Sequence, residues 1–133
     1  MFETDIRVRW VDTDRLEVVH FSNYFRYFEV AEEEFLRSLG MDFQKLNETY
    51  GIAIPRIEAN CKYKAPARFN DLLRVSVVVK EIAGKTVLYE FSVRNKNSGT
   101  LLAEGWIRVA TVDLKTWKAV DVPPDIAKVL KAA

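Results

Sequence analysis

The spacing of apolar residues changes character within the first forty residues. In "DIRVRW", residues 5–10, the apolar side chains of Ile6, Val8 and Trp10 alternate with arginines, which predicts a β-strand with one buried face. From Tyr24 the apolar residues recur every three or four positions, which predicts a helix of about four turns with one apolar face. That face comprises Tyr24, Phe25, Phe28, Ala31, Phe35, Leu36 and Leu39.

The ends of this helix carry recognisable signals. Ser22 or Asn23 is placed to supply the N-cap oxygen, and Gly40 stands where a helix commonly ends in a left-handed residue. The pattern also predicts that most of the acidic residues of the helix lie on its polar face. These are Glu29, Glu32, Glu33 and Glu34.

After Gly40 the pattern predicts strand after strand until a brief C-terminal helix that begins at Pro123-Pro124. The polar run 95–100 predicts a hairpin turn with Gly99 at a positive-φ position. The predicted long strands are 56–65, 72–82, 85–95 and 101–113. One long helix followed by antiparallel strands predicts an α+β fold, in which a curved sheet of about five to six strands wraps around one long central helix in a single domain, 1–133.

Composition narrows the class of protein. The chain has 133 residues with 20 basic and 19 acidic side chains, so it lacks the overall positive charge of a dedicated nucleic-acid binder. The first ten residues do not have the pattern of a leader peptide, and no apolar run is long enough to span a bilayer, so we expect a cytoplasmic protein. The single cysteine, Cys61, excludes an internal disulfide and a multi-cysteine metal site.

The predicted sheet also has a consequence for assembly. One helix covers only one face of such a sheet, and long strands leave edges that must be protected or paired. We therefore expect a homo-oligomer, either a dimer or a dimer of dimers.

Polar groups are concentrated between the first strand and the helix, in "WVDTDRLEVVHFSNYF", residues 10–25. The spacing of Asp12, Thr13, Asp14, His20 and Tyr24 in this segment resembles that of the hotdog-fold acyl-CoA thioesterases of the 4-hydroxybenzoyl-CoA thioesterase type. A second segment, "CKYKAPARFNDLLRVSVVV", residues 61–79, is similar to the entry of this family's third strand. The resemblance implies a hotdog fold and hydrolysis of a coenzyme A thioester, with no metal and no cofactor apart from the coenzyme A of the substrate.

The resemblance also implies roles for particular residues. The catalytic aspartate of the family corresponds to Asp14, as general base or as nucleophile, and the backbone N–H that polarises the thioester carbonyl corresponds to that of Phe21. Such a reaction needs a base or nucleophile beside the carbonyl carbon and donors aimed at its oxygen. His20 lies one position before the histidine of some relatives. Glu17 replaces the family glycine. Three roles remain open for its side chain: it acts as a second catalytic carboxylate, it narrows the pocket, or it points to solvent.

Further residues are candidates for substrate binding. Asn23 and Tyr24 are predicted as a cap and a core residue that can also line the acyl pocket. Basic residues that could contact the phosphates of coenzyme A are Lys62, Lys64, Arg68 and Lys85, and Lys85-Thr86 resembles a Lys-Ser pair of relatives. Asp12 is predicted to be a turn residue, and Cys61 lacks a histidine to activate it as a nucleophile.

Other activities remain open on this fold. One alternative is an acyl-carrier-protein thioesterase, and another is a non-catalytic acyl-CoA-binding module whose site has drifted. A hotdog dehydratase is disfavoured because the sole histidine lies outside the predicted helix. The spacing of residues in the sequence does not indicate whether the acyl group is short, long or aromatic.

Overall fold

A computed structural model describes all 133 residues and has the α+β architecture that the sequence predicts. Its elements are β1 (Phe2–Arg7), α1 (Asn23–Ser38), α2 (Phe43–Tyr50), β2 (Ile52–Ala53), β3 (Arg56–Tyr63), β4 (Leu72–Ala83), β5 (Thr86–Asn95), β6 (Leu101–Ala110), β7 (Val112–Asp113) and α3 (Pro124–Ala132).

The main sheet has five antiparallel strands in the order β1-β4-β5-β6-β3, and β2 and β7 form a separate two-stranded pair. Strands β4, β5 and β6 follow one another as a meander, with Gly99 at φ 76 in the predicted turn. The two edges of the sheet are β1 and β3. None of the three helices is long and apolar enough to cross a membrane.

Helix α1 packs its apolar stripe on one face of the sheet. The ring of Phe28 is fully buried and stacks on that of Phe91, with 4.6 Å between the centroids. Burial of such a side chain contributes about 2–3 kcal/mol. The backbone of Gly105 lies beneath this stack, where an added Cβ would be 2.0 Å from the Asn60 carbonyl oxygen and 3.0 Å from the Phe28 ring. A glycine at 105 therefore permits this close packing.

The structure corrects the predicted start of α1. Ser22 occupies the N-cap position, but neither its hydroxyl nor the Asn23 side chain caps a backbone amide of the helix. Instead the Asn23 N–H donates to the His20 carbonyl oxygen at 2.9 Å, and the Asn23 side-chain amide donates to the Asp12 carbonyl oxygen at 2.8 Å. The C-terminal prediction is confirmed, since Gly40 has φ 78.

Other elements also differ from the sequence prediction. The predicted strand 101–113 divides at Thr111 into β6 of the main sheet and β7 of the two-stranded pair. Strand β1 ends at Arg7 rather than residue 10, and Trp10 lies in a 3-10 turn with 74% of its surface exposed. Helix α2 lies where only strands were predicted. The Asp42 side chain caps α2 by accepting a hydrogen bond from the Lys45 N–H, and the helix ends at Gly51, which has φ 65. Only one of its eight side chains is buried, so the sequence has no repeating apolar pattern that would predict this helix.

Glu32 was predicted on the polar face of α1 but is fully buried. Its carboxylate pairs with the guanidinium of Arg56 at the start of β3, and that guanidinium also lies 5.6 Å from the Phe43 ring of α2. Burial raises the pKa of Glu32 to about 7, although Arg56 acts in the opposite direction. The ion pair joins α1, α2 and the start of β3.

Candidate active site

The segment between β1 and α1 forms a tight hairpin that presents Asp14. Thr13 pairs with Val19, and the Asp14 N–H donates to the Val18 carbonyl oxygen at 2.9 Å. At the tip, the Glu17 N–H donates to the Asp14 carbonyl oxygen at 2.9 Å, and the Asp14 Oδ1 accepts the Leu16 N–H at 2.8 Å. The turn thus fixes the orientation of the Asp14 carboxylate.

Glu17 occupies the left-handed position of this hairpin, with φ 64. A turn closed between residues i and i+3 and followed by a left-handed residue is a common three-residue hairpin connection, and glycine adopts that conformation without strain. The structure therefore gives a backbone reason for the glycine of the family at this position. Glu17 takes the same conformation with a side chain.

We predict that Glu17→Gly stabilises the protein by about 0.5 kcal/mol, because relief of left-handed strain outweighs the greater freedom of glycine in the unfolded chain. Glu17→Ala removes the carboxylate but keeps the strain, and it serves as the matched control. Chemical denaturation of the three proteins measures the difference. An alanine variant that is as stable as the glycine variant would contradict a backbone origin.

The hairpin is anchored on both sides. The Val19 N–H donates to the Ala67 carbonyl oxygen at 2.8 Å, and Val18 bridges to Arg68. On the other side, the Asp12 Oδ2 accepts the Tyr27 hydroxyl and the Arg9 N–H, each at 2.9 Å. Asp12 thus serves the turn, as predicted, and its carboxylate joins the loop to α1.

The peptide N–H of Phe21 is unpaired within the chain. The carbonyl oxygen of the same residue is held by the Tyr63 hydroxyl of β3 at 3.0 Å, and it also accepts the Tyr24 N–H at 3.4 Å. Because Phe21 lies two residues before Asn23, the first residue of α1, its free N–H lies near the positive end of the helix dipole. This is a donor suited to an oxygen that acquires negative charge.

Asp14 and Phe21 line the same cavity, which has a volume of about 440 Å³. We call it the apolar cavity, and its walls are Asp14, Leu16, Val18, Val19, Phe21, Tyr24, Tyr63, Lys64, Ala65 and Pro66. Tyr24 and Tyr63 meet edge to face in this wall, with ring centroids 5.2 Å apart. Burial raises the pKa of Tyr63 to about 12, so its hydroxyl stays protonated near neutral pH.

Asp14 also lines a second cavity, of about 460 Å³, on another side of the hairpin. We call it the Trp10–Arg68 cavity, and its walls are Trp10, Thr13, Asp14, Glu17, Arg68 and Phe69. The predicted binding residue Arg68 and the candidate carboxylate Glu17 are therefore both beside Asp14. The aromatic residues Trp10 and Phe69 had not been singled out from the sequence as site residues.

The His20 imidazole is hydrogen-bonded to the neighbouring Ser22 and not to Asp14. Its Nδ1 lies 2.7 Å from the Ser22 Oγ and accepts the Ser22 N–H at 3.3 Å. The imidazole packs beside the Phe21 ring, with 4.6 Å between the centroids. The contacts of His20 thus order the segment that leads into α1.

Three predicted binding residues lie away from Asp14. Lys62 lines a hollow of about 430 Å³ with Glu90 and Trp106, on the sheet face opposite to α1. Lys85 and Thr86 follow the far end of β4, a strand of twelve residues that starts beside the Asp14 hairpin. At about 3.3 Å per residue, the strand separates its two ends by roughly 35–40 Å. One chain therefore does not bring Lys85 and Thr86 to Asp14.

Cys61 does not have the surroundings of a nucleophile. It is half-buried in β3, and burial raises the pKa of its thiol, which keeps it protonated.

Comparison with known proteins identifies the class. Residues 8–130 match the Thioesterase-like superfamily, and the chain belongs to this family. The acyl-CoA thioesterase YbgC of Haemophilus influenzae is 34% identical over 125 residues, which cover 94% of this chain and 90% of the relative. The predicted resemblance to hotdog thioesterases is confirmed, and so is the prediction of a thioesterase at the level of the family.

Solved structures show the same fold. The crystal structure of the hypothetical protein TT1821 from Thermus thermophilus has a TM-score of 0.91 at 32% identity, covering 99% of this chain and 98% of the other. Slr0204, a 1,4-dihydroxy-2-naphthoyl-CoA thioesterase from Synechocystis, also has a TM-score of 0.91, covering 98% and 95% of the two chains. The two sequences are 22% identical, and at this level the similarity is evidence for a shared fold alone.

Proposed function

We propose that this protein hydrolyses acyl-CoA thioesters to a free carboxylic acid and coenzyme A at the junction between the Asp14 hairpin and α1. The observation that carries the proposal is that Asp14, whose carboxylate accepts the Leu16 N–H, and Phe21, whose backbone N–H has no partner within the chain, line one cavity. Membership of the thioesterase-like family supports the same reaction.

In the proposed reaction the thioester carbonyl oxygen accepts the Phe21 N–H. Asp14 then either removes a proton from the water that attacks the carbonyl carbon or attacks that carbon itself, and water resolves the resulting anhydride. In both routes the C–S bond breaks and the thiolate of coenzyme A leaves and takes up a proton. The amide donor stabilises the oxyanion because it is in place before the charge develops.

The experiment is a panel of thioesters that share an acyl group. Acyl-CoA, the same acyl group on a carrier protein and the same acyl group on N-acetylcysteamine are compared by release of free thiol. We expect the highest kcat/KM for at least one acyl-CoA, over a series that includes short, long and aromatic acyl groups. Faster turnover of the carrier-protein thioester would favour the carrier-protein alternative, and no turnover above background would refute both.

We further propose that the chain works as a homo-oligomer. Strand β3 is paired only with β6, and it exposes apolar side chains, including Ile57 with 52% of its surface in contact with solvent. An unprotected apolar edge is a typical site of association. A second copy could also bring a distant hairpin, such as the one at Lys85, towards the Asp14 of its neighbour.

We predict that Ile57→Glu dissociates the wild-type dimer, or dimer of dimers, because it places a charge on this edge. Sedimentation velocity at micromolar concentration measures the effect. Val78→Glu, which adds the same charge to an exposed position of the inner strand β4, away from this edge, is the control and leaves the β3-mediated dimer intact. Identical sedimentation of Ile57→Glu and wild type would contradict the proposal.

A further inference from the structure

The peptide group that carries the unpaired Phe21 N–H has a hydrogen bond on its carbonyl side. This group joins His20 to Phe21, and the His20 carbonyl oxygen accepts the Asn23 N–H at 2.9 Å. A carbonyl that accepts a hydrogen bond polarises its peptide group, so the N–H on the opposite side becomes a stronger donor. The contact therefore fixes the plane of this peptide and favours the donor role of Phe21.

The Asp12 carbonyl oxygen holds the chain on both sides of Phe21. It accepts the His20 N–H at 2.9 Å and the Asn23 side-chain amide at 2.8 Å. Asp12 precedes Asp14 by two residues. One oxygen atom therefore links the hairpin that carries the proposed base or nucleophile to the segment that carries the proposed oxyanion donor.

We propose that Asn23 is a positioning residue of the thioesterase site. Its side-chain amide, bonded to the Asp12 carbonyl oxygen, holds the Phe21 N–H in a fixed position relative to the hairpin. This inference rests on the proposed function and adds to it a residue that acts without touching the substrate. Asn23 belongs to the wall of neither cavity that Asp14 lines.

The chemistry of the contact requires an amide at residue 23. Its partner is a carbonyl oxygen, which only accepts hydrogen bonds, so residue 23 must supply a donor. The bond is half-buried and reaches from the first residue of α1 to a residue eleven positions earlier. A carboxylate at this place would suit the positive end of the helix dipole but would repel the Asp12 oxygen. Aspartate therefore separates a positioning role from a role in helix stability.

Two substitutions at this position test the proposal. Asn23→Ala removes the donor and should lower kcat for acyl-CoA about 10–100-fold, with KM within about threefold of wild type. Asn23→Asp should lower kcat at least as much, although a carboxylate is favourable at a helix N-terminus. If Asn23 served the helix alone, the aspartate variant would be as active as wild type.

Ser38→Ala is the matched control. It removes another half-buried side-chain bond of α1, in which the Ser38 hydroxyl donates to the Phe35 carbonyl oxygen at 2.6 Å, at the opposite end of the helix. This variant should keep the kcat of wild type. Thermal unfolding of all the variants establishes that each is folded at the assay temperature.

Binding of two acyl-CoA analogues provides a readout that does not depend on turnover. A trifluoromethyl ketone is hydrated to a tetrahedral carbon that resembles the reaction intermediate, whereas a plain ketone with a methylene between sulfur and carbonyl resembles the substrate. Asn23→Ala should weaken binding of the first analogue about as much as it lowers kcat/KM, and should leave binding of the second nearly unchanged.

The outcomes distinguish the inference from the proposed function. Equal kcat in wild type and Asn23→Ala, or equal weakening of both analogues, would overturn the inference and leave the proposed function standing. Wild-type activity in Asn23→Asp would also overturn it. Absence of acyl-CoA turnover by the wild-type protein would refute the proposed function and the inference with it.

Discussion

Asp14→Asn is expected to lower kcat for acyl-CoA hydrolysis by about 10²–10⁴-fold, because the amide neither accepts the proton of an attacking water nor attacks the carbonyl carbon. The variant should fold normally. Its side-chain oxygen can still accept the Leu16 N–H, the bond that fixes the Asp14 side chain at the hairpin tip. KM should change little, since the substitution preserves the shape of both cavities. Release of coenzyme A thiol under saturating substrate measures the effect.

Glu17→Gln is the matched control for this prediction. It neutralises the other carboxylate of the Trp10–Arg68 cavity without changing the left-handed backbone. We expect its kcat to stay within a few fold of wild type. Full activity of Asp14→Asn together with loss of activity in Glu17→Gln would assign the base to Glu17 instead.

Arg56→Met is expected to destabilise the protein by about 3–5 kcal/mol at pH 8, since it leaves the Glu32 carboxylate buried without its cation. The pKa of Glu32 in the folded protein is raised to about 7 from the ordinary 4.5, so its contribution to stability is complete below about pH 4.5. That contribution is lost as the pH rises through 7. Without Arg56 the pKa of Glu32 rises further, and the loss grows.

The destabilisation by Arg56→Met should therefore be smaller at pH 5, where Glu32 is mostly protonated in the folded chain. Denaturation of variant and wild type at both pH values measures the difference, in which the groups that do not contact Arg56 cancel. Glu29, which lies 3.8 Å from the Arg56 guanidinium, is exposed, so its share is small. The double variant Arg56→Met/Glu32→Gln should recover much of the stability at pH 8. Equal destabilisation at pH 5 and pH 8 would show that Glu32 is not the group responsible.

Much of the architecture was predictable because local patterns and the fold agree. The helix that begins after Ser22 and ends before Gly40, and the turn at Gly99, follow from apolar spacing and from backbone freedom. The burial of Glu32 was not predicted, because a charged side chain was expected on the polar face of the helix whatever its spacing from the apolar residues. It lies four residues after Phe28 and three before Phe35, on the core face, where its cation comes from a strand distant in sequence.

The candidate site was also predicted only in part from the sequence. Asp14 and Phe21 were predicted to lie together, and both line one cavity because the hairpin and the helix start are contiguous in sequence. The positions of Lys62 and Lys85 depend on strand register and on the length of β4, which no local pattern reveals. Trp10 was predicted to lie on a buried strand face, and its exposure became visible only when β1 was found to end at Arg7.

The most direct test of the central claim is a crystal structure of Asp14→Asn with a bound thioether analogue of an acyl-CoA, in which a methylene separates sulfur and carbonyl. We predict that the carbonyl oxygen lies about 3 Å from the Phe21 nitrogen and that the carbonyl carbon lies beside residue 14. A carbonyl bound in the hollow beside Trp106, or one whose oxygen contacts neither the Phe21 N–H nor residue 14, would contradict the assignment of this junction as the thioesterase site.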